Sequence, residues 1–495
     1  MIASESRWTV LRRAILTPPG RVLAVSLLVI ALAAPAASLP ASPIPPGEVG
    51  FELYVSIGIE HPSGQALTPL DPLTLQDDRD APVIDLGRLP SPWHALHEQR
   101  SATWVAAGDG SVFVGIEQPP APLEERGMTI VVRDGWTGEE RLRFQPGVPI
   151  ERYAAPLVSA DGSRVVVEGS YEALQAERNA RHNGFGASSR RAARLWDELR
   201  SPQDMPPPVM IRWHVFDTAT GRLVSTNNAA GPFAFGRWLD PAGTRLYYLS
   251  GPILRGYPSV TGWRESAGEP APARIVAHDL ATGEEVGRLE LAGVPVGAWE
   301  TAEHRIAAAE PGVALSPDGA RLAVVHPDLS ALTLIDAPRL RVERTVAIER
   351  PASLADRLLG LLPLMPRDAA AKGPAEGVYL HAVFSPDGAR LYVAGREIER
   401  GEGGYASRSR GLGLRVIDVA SGNVVASAFS EAEIGEILPA PDGRTVYVVR
   451  NELFASQRWL LQRLDVVTLE VLAEREFDGY PWFLMRSQAA SAATT

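Results

Sequence analysis

Three features of the 495-residue sequence predict an all-β fold assembled from repeated antiparallel units. Asp-Gly turns flanked by apolar or β-branched runs recur along the chain. A second element, a β-rich strand ending in Asp-x-x-Thr/Ser and often Gly, follows each of them at varying distance. Apolar runs with helical period are scarce after the N-terminus, while Gly and Pro are plentiful. Together these favour short strands joined by turns.

The first element appears six times: AGDGSVFVGI from Ala107, SADGSRVVVE from Ser159, the degenerate DPAGTRLYYL from Asp240, SPDGARLAVV from Ser316, SPDGARLYVA from Ser385 and APDGRTVYVV from Ala440. The second reads VVRDGWTG around Asp134, HVFDTATG around Asp217, AHDLATG around Asp279, LIDAPRL around Asp336, VIDVASG around Asp418 and RLDVVTL around Asp465. A seventh copy, PLDPLTL around Asp71, follows the strand FELYVSIG from Phe51. In such turns the Asp accepts backbone N–H bonds and the Gly supplies positive φ, so the motif serves turn geometry.

Seven second elements thus face six first ones. The missing piece lies at the other end of the chain, where GYPWFLMRS (Gly479 to Ser487) resembles GVYLHAVFS (Gly377 to Ser385) and stops where Pro-Asp-Gly would follow. Each unit reads as strand a, Asp-Gly turn, strand b, connection, strand c, turn and strand d. The predicted architecture is therefore a seven-bladed β-propeller of four-stranded antiparallel blades, with the N- and C-terminal strands sharing one blade and short helical insertions on one face. The pattern SPDGARLYVAG followed by LRVIDVASGNVV resembles the YVTN-type, YncE-like propeller repeats of secreted prokaryotic proteins, related in fold to quinoprotein amine dehydrogenase heavy chains and lactonase propellers. The Gly-His and Trp-Asp signatures of true WD40 repeats are absent. The resemblance covers nearly the whole chain after the linker and implies a binding or scaffolding module, with enzymes a minority.

Composition removes several kinds of chemistry. With no cysteine there is no disulfide framework, thiolate zinc site, iron–sulfur cluster or cysteine nucleophile. A formal charge of -11 argues against nucleic acid as a partner. No G-x-S-x-G elbow, H-E-x-x-H, P-loop or dinucleotide fingerprint occurs, and no cofactor is predicted. Residues 1–36 read as a secretory signal: Arg12, Arg13 and Arg21 precede the apolar run Val22 to Ala33 and the small-residue sequence Ala34-Pro35-Ala36. A retained membrane anchor is the rival reading, which Pro35 opposes by shortening the apolar run. A Pro-rich linker over 37–48, a single propeller domain over 49–487 and a disordered tail over 488–495 complete the predicted organisation, in a protein secreted or held at the outer face of the cell envelope.

In a four-stranded blade the a–b and c–d turns share one face, and the b–c and d–a connections share the other. The second face carries the long insertions: Tyr171 to Val209, Pro252 to Ala273, Glu349 to Val378 and Glu397 to Leu412. Function is expected there, because variable loops on a rigid scaffold are where recognition resides. The first insertion reads as two short helices, the second gathering Arg190, Arg191 and Arg194 beside Trp196, a cluster suited to a carboxylate, phosphate or sugar acid. A solvated helix face is the competing reading. The segment Ser353 to Met365 has a helical apolar stripe of Leu354, Leu358, Leu361, Leu362 and Met365, read as a lid over the propeller or a peripheral membrane contact. Partners expected for this face are a protein, a glycan or a small anionic ligand.

Aligning the units on the turn Gly gives one ring of equivalent strand-a positions: Thr103, Ala155, Gly236, Gly312, His381, Glu436 and Phe483. Small residues are expected where strands converge, so His381 and Glu436 stand out as a candidate acid and base at a channel mouth, or as a structural pair. The H-x-x-H spacing of His94 and His97 before Glu98 lacks a third ligand. The acidic tract Asp77 to Asp80 suits calcium or a solvated loop. The leading reading is a binding module acting through the insertion face. A propeller hydrolase or lactonase-like enzyme and a purely structural envelope protein are the alternatives.

Overall fold

The strand order along the chain shows how the repeat closes. In the computed structural model, residues 51–57, 66–81, 83–85, 104–117, 128–150, 156–169, 209–230, 233–251, 272–300, 306–348, 377–400, 406–451, 458–478 and 481–487 are described. Strands β1 (Phe51–Ile57), β2 (Ala66–Leu70) and β3 (Ile84–Asp85) begin the first sheet. The second holds β4 (Trp104–Ala106), β5 (Val112–Glu117), β6 (Thr129–Asp134) and β7 (Glu140–Phe144). The third holds β8 (Leu157–Val158), β9 (Arg164–Glu168), β10 (Val209–Asp217) and β11 (Leu223–Ala230). The fourth holds β12 (Phe233–Leu239), β13 (Arg245–Gly251), β14 (Pro272–Asp279) and β15 (Glu285–Pro295). A hairpin of β16 (Gly297–Glu300) and β17 (Ile306–Glu310) precedes the fifth sheet, β18 (Gly312–Leu315), β19 (Arg321–Val325), β20 (Ala331–Asp336) and β21 (Arg341–Ala347). The sixth contains β22 (Gly377–Phe384), β23 (Arg390–Arg400), β24 (Ala406–Asp418) and β25 (Val424–Ala428). The seventh contains β26 (Glu433–Pro439), β27 (Thr445–Asn451), β28 (Arg458–Asp465) and β29 (Val471–Asp478). The last strand, β30 (Pro481–Ser487), returns to the first sheet and pairs with β1 along its whole length, from Phe51 opposite Ser487 to Ile57 opposite Pro481.

The protein is an all-β propeller. Each sheet is too narrow to bury its two faces alone, and the apolar clusters lie between successive sheets. Tyr54, Leu67 and Trp104 join the first sheet to the second. Val114, Ile130 and Val167 join the second to the third. The ring continues through Val215 and Tyr248, through Ile275 and Val324, through Leu334 and Leu391, and through Val416 and Val448. Closure from the seventh sheet to the first uses Phe51 edge-on to Tyr447 at 6.2 Å, and the Tyr447 hydroxyl donating to Pro72 O at 2.6 Å. Arg463 donates to Leu73 O and Arg475 to Leu75 O and Asp77.

One expectation needs correction: among the described residues the four-stranded blades number six rather than seven, because the sheet of β22–β25 has six strands. The β16–β17 hairpin adds to its inner edge, with β17 running parallel to β22 so that Glu310 lies opposite Tyr379. The sequence IAAAEPGVAL explains it: Pro311 lacks an N–H and separates a strand that pairs with β22 from one that pairs with β19. No helix occurs among the described residues. The predicted helices within Tyr171 to Val209 and at Ser353 to Met365 lie outside them.

The recurring turns are built as their residues require. In the second element, the carboxylate of Asp71, Asp134, Asp217, Asp279, Asp336, Asp418 or Asp465 accepts the backbone N–H three residues on. The fourth residue after each Asp has positive φ: Gly138, Gly221, Gly283 and Gly422, and, where the repeat lacks glycine, Leu75, Leu340 and Leu469. In the first element, the Ser316 and Ser385 hydroxyls donate to Asp318 and Asp387 at 2.5 Å and accept the N–H of Arg321 and Arg390 at 2.9 Å.

Candidate functional site

The inner strand of each sheet decides where a central site can lie. Strands β8, β12, β18, β22 and β26 contact one another in succession, placing the first strands of the sheets around the axis. Of the predicted ring, Gly236, Gly312, His381, Glu436 and Phe483 fall on β12, β18, β22, β26 and β30, while Thr103 and Ala155 lie outside the described residues. Gly312 shows why small residues belong here: a Cβ would meet Leu380 Cβ at 3.2 Å and Ala382 Cβ at 3.4 Å on the neighbouring strand. Phe483 is buried and packs on Phe477 at 6.1 Å.

His381 and Glu436 are brought onto adjacent inner strands that touch. Both residues are half-buried, with His381 Nε2 and Glu436 Oε2 shielded from solvent. Alternation along β22 explains the placement. Leu380, Ala382 and Phe384 fill the core shared with the fifth sheet, leaving Tyr379, His381 and Val383 on the opposite side, where Val383 packs against the core of the seventh. Strand a begins at the insertion-bearing face, so Tyr379 and Glu433 lie nearer that face than His381 and Glu436. Arg396 bridges them, pairing with Glu433 at 3.1 Å and covering the Tyr379 ring at 5.8 Å. A similar tie joins the third and fourth sheets, Arg237 to Glu168 at 3.0 Å. An imidazole and a carboxylate on neighbouring strands can exchange a proton or orient a small polar ligand. An apolar recess on the fifth-sheet side of β22, lined by Leu329, Leu380, Val393 and Leu412, is too small to hold a water molecule.

The other candidates separate by location. Arg190, Arg191, Arg194 and Trp196, the stripe Leu354, Leu358, Leu361 and Leu362, and the group His94, His97 and Glu98 all lie outside the described residues. The tract Asp77 to Asp80 folds as a turn in which Asp78 accepts the Asp80 N–H at 3.0 Å and Asp77 pairs with Arg475 at 2.7 Å, so its charge is partly neutralised within the ring closure. Among the described residues no three His, Asp or Glu side chains are placed to hold a metal ion.

The two faces differ in how their connections are used. On the turn face, arginines at strand b and strand d reach across to the next sheet: Arg245 to Pro338 O, Arg344 to Val419 O and Arg390 to Val466 O, at 2.8, 3.0 and 2.8 Å. Those groups are committed to holding sheets together. The opposite face carries the connections from Glu168 to Val209, Gly251 to Pro272 and Ala347 to Gly377, and there β23 and β24 run on past their neighbours as far as Arg400 and Ala406. Sequence reasoning missed this extension, and it missed the β16–β17 hairpin and the Arg396–Glu433 bridge because those two depend on contacts between units rather than within one.

No protein-family model matches the chain, and no curated protein matches it. It is similar in structure to a eukaryotic initiation factor, with 9% identity over 88% of this chain and 98% of that one at a TM-score of 0.37. It is also similar to Kuenenia stuttgartiensis hydrazine synthase, with 12% identity over 75% of this chain and 80% of that one at 0.39. The Cps50 (Swd1) β-propeller domain of Myceliophteria thermophila matches with 10% identity over 78% and 89% of the two chains at 0.39. Likenesses this distant carry nothing about function.

Proposed function

We propose that the protein is an extracytoplasmic propeller that binds a partner protein, a glycan or a small anionic ligand through its insertion-bearing face. The observation that carries this reading is the division of labour between faces. The turn face is used up in Asp-centred turns and in arginine ties between sheets, whereas the longest connections and the extended β23–β24 hairpin share the other face. A rigid ring with one committed and one variable face suits recognition. On this reading residues 1–36 direct export, 37–48 form the linker, and the repeats belong to the YVTN type. Arg190, Arg191, Arg194 and Trp196 supply anion contacts, and Leu354, Leu358, Leu361 and Leu362 supply a lid or a membrane contact. Replacing the three arginines by alanine is expected to weaken binding of a sugar-acid or phosphate ligand at least about tenfold while leaving the urea midpoint unchanged. Unaltered affinity in that variant, measured by calorimetry, would remove the anion-binding reading.

A second reading is favoured by one observation, the placement of His381 and Glu436 on touching inner strands with shielded polar atoms. It makes the channel mouth a hydrolytic or lactonase-like site with His381 as base and Glu436 as its partner. Turnover of a lactone or ester panel that is lost in both His381→Ala and Glu436→Gln would support it. Turnover that survives both changes would exclude these residues.

A further inference from the structure

The third and fourth sheets meet at a seam unlike the others. Trp213 on β10, Tyr248 on β13 and His278 on β14 pack tilted or edge-on there, with ring centroids 4.7 Å apart for Trp213–Tyr248, 5.7 Å for Tyr248–His278 and 6.1 Å for Trp213–His278. None of the three is more than 1% exposed. Their polar atoms, Trp213 Nε1, Tyr248 Oη and both ring nitrogens of His278, make no hydrogen bond of good geometry within the protein. Buried polar groups are normally paired, so this seam is held by ring packing and apolar burial alone at its centre. We propose that it is an acid-sensitive joint, in which proton uptake by His278 loosens the packing of Trp213 and Tyr248 before the rest of the propeller opens.

The groups around the ring decide the direction. From β13 comes Tyr248, whose phenol is held neutral by burial. From β15 come Glu285, opposite His278 in register, and Arg288, which is paired with Glu285 at 2.8 Å. From β14 itself comes Asp279, whose carboxylate is turned to the N–H groups of Ala281 and Thr282. The third sheet presents uncharged groups to the seam: Trp213 and Val215 from β10, Val166 from β9, and Ser225, whose hydroxyl donates to Leu280 O. Burial lowers the His278 pKa from its ordinary 6.5; the Gly283 backbone and Glu285 favour the protonated ring but do not outweigh it, and Arg288 works with burial. The unfolded state therefore binds the proton more readily than the folded one below about pH 6.5, and stability falls with pH there. Among the described residues, a charge placed among Trp213, Tyr248 and Val166 has no free carboxylate on β14 or β15 to meet it, because Glu285 and Asp279 are already engaged.

The test uses the full chain and its His278→Phe variant. Between pH 7.5 and 5.0 the wild-type unfolding equilibrium should shift toward the unfolded state by up to about tenfold per pH unit for this one proton, and His278→Phe should remove that share. Amide exchange, corrected for intrinsic rates, should quicken at Trp213–Val215, Leu246–Leu249 and Val276–His278 at pH 5.0 before it does at β19 and β20. His326, another histidine whose pKa burial lowers, lies in the fifth sheet with Nε2 2.9 Å from Thr333 Oγ1, and His326→Gln should leave the seam's response intact. If His278→Phe does not fold, His278→Gln supplies the same comparison. An unchanged pH response in the His278 variants, or exchange that rises uniformly over all sheets, overturns the proposal.

Discussion

At the scale of single residues, the repeated turns show which side chains are required and which are tolerated. The Ser385 hydroxyl is buried and serves two neighbours, donating to Asp387 and accepting from Arg390 N–H. Ser385→Ala should therefore cost about 1–2 kcal/mol in urea unfolding, whereas the equivalent position at the seventh sheet is already Ala440 and keeps its backbone turn. The position with positive φ after each second-element Asp behaves differently. Gly422 has no room for a side chain, since a Cβ would meet Val346 Cγ2 at 2.8 Å and Ala347 O at 2.9 Å. Gly422→Ala should lose at least about 1–2 kcal/mol from φ alone. Leu469 takes the same backbone shape with its side chain buried. Leu469→Gly relieves that strain but forfeits about 2 kcal/mol of burial, so it too should destabilise, by about 1 kcal/mol. The tool for all three is the denaturant midpoint at constant m-value.

At the scale of elements, the Asp-centred turns act together. Asp217, Asp279 and Asp418 have carboxyls held below their ordinary range, chiefly by the Thr220 hydroxyl, the Thr282 N–H and the Ser421 hydroxyl respectively. Asp318 and Asp387 are lowered chiefly by the Ser316 and Ser385 hydroxyls. A depressed folded pKa gives stability that is present above the unfolded value near 3.8 and is lost as pH falls through the folded value. The propeller should thus show an acid limb below about pH 4, in addition to the histidine limb that sets in below about 6.5, and Asp418→Asn should flatten the acid limb while the amide still accepts the turn N–H. Much of this was legible in the sequence, because a turn of five residues carries its own hydrogen-bonding instructions. Pairings between units were not. Nothing in GAWETAEHRIAAAE announces that β17 will run parallel to β22, since that choice is made by the neighbouring sheet. His381 and Glu436 were likewise found by aligning repeats, whereas the bridge from Arg396 to Glu433 joins two positions 37 residues apart with no motif in common.

At the scale of the whole molecule, the ring is closed by a strand pair that spans the chain, and stability depends on it. Ending the chain at Asp478 removes β30 and leaves the inner edge of β1 unpaired. That variant should lose cooperative unfolding or associate through its open edge, which analytical ultracentrifugation and a urea transition would reveal. Tyr447, Arg463 and Arg475 hold the Asp71 to Leu75 turn from the other side, so the same seam is fastened by side chains as well as by the ladder. With the ring fixed in this way, the repeat is architecture and recognition belongs to the face that carries the unlike connections. Native mass spectrometry of the protein from its source cells, beside a variant with Tyr171 to Val209 replaced by a short linker and a turn-face variant with Val425 and Val471 changed to Thr, tests that claim most directly. The account predicts a stoichiometric bound mass that the wild-type and turn-face proteins keep and the shortened protein loses. A bound mass kept by the shortened protein and lost from the turn-face variant would contradict it.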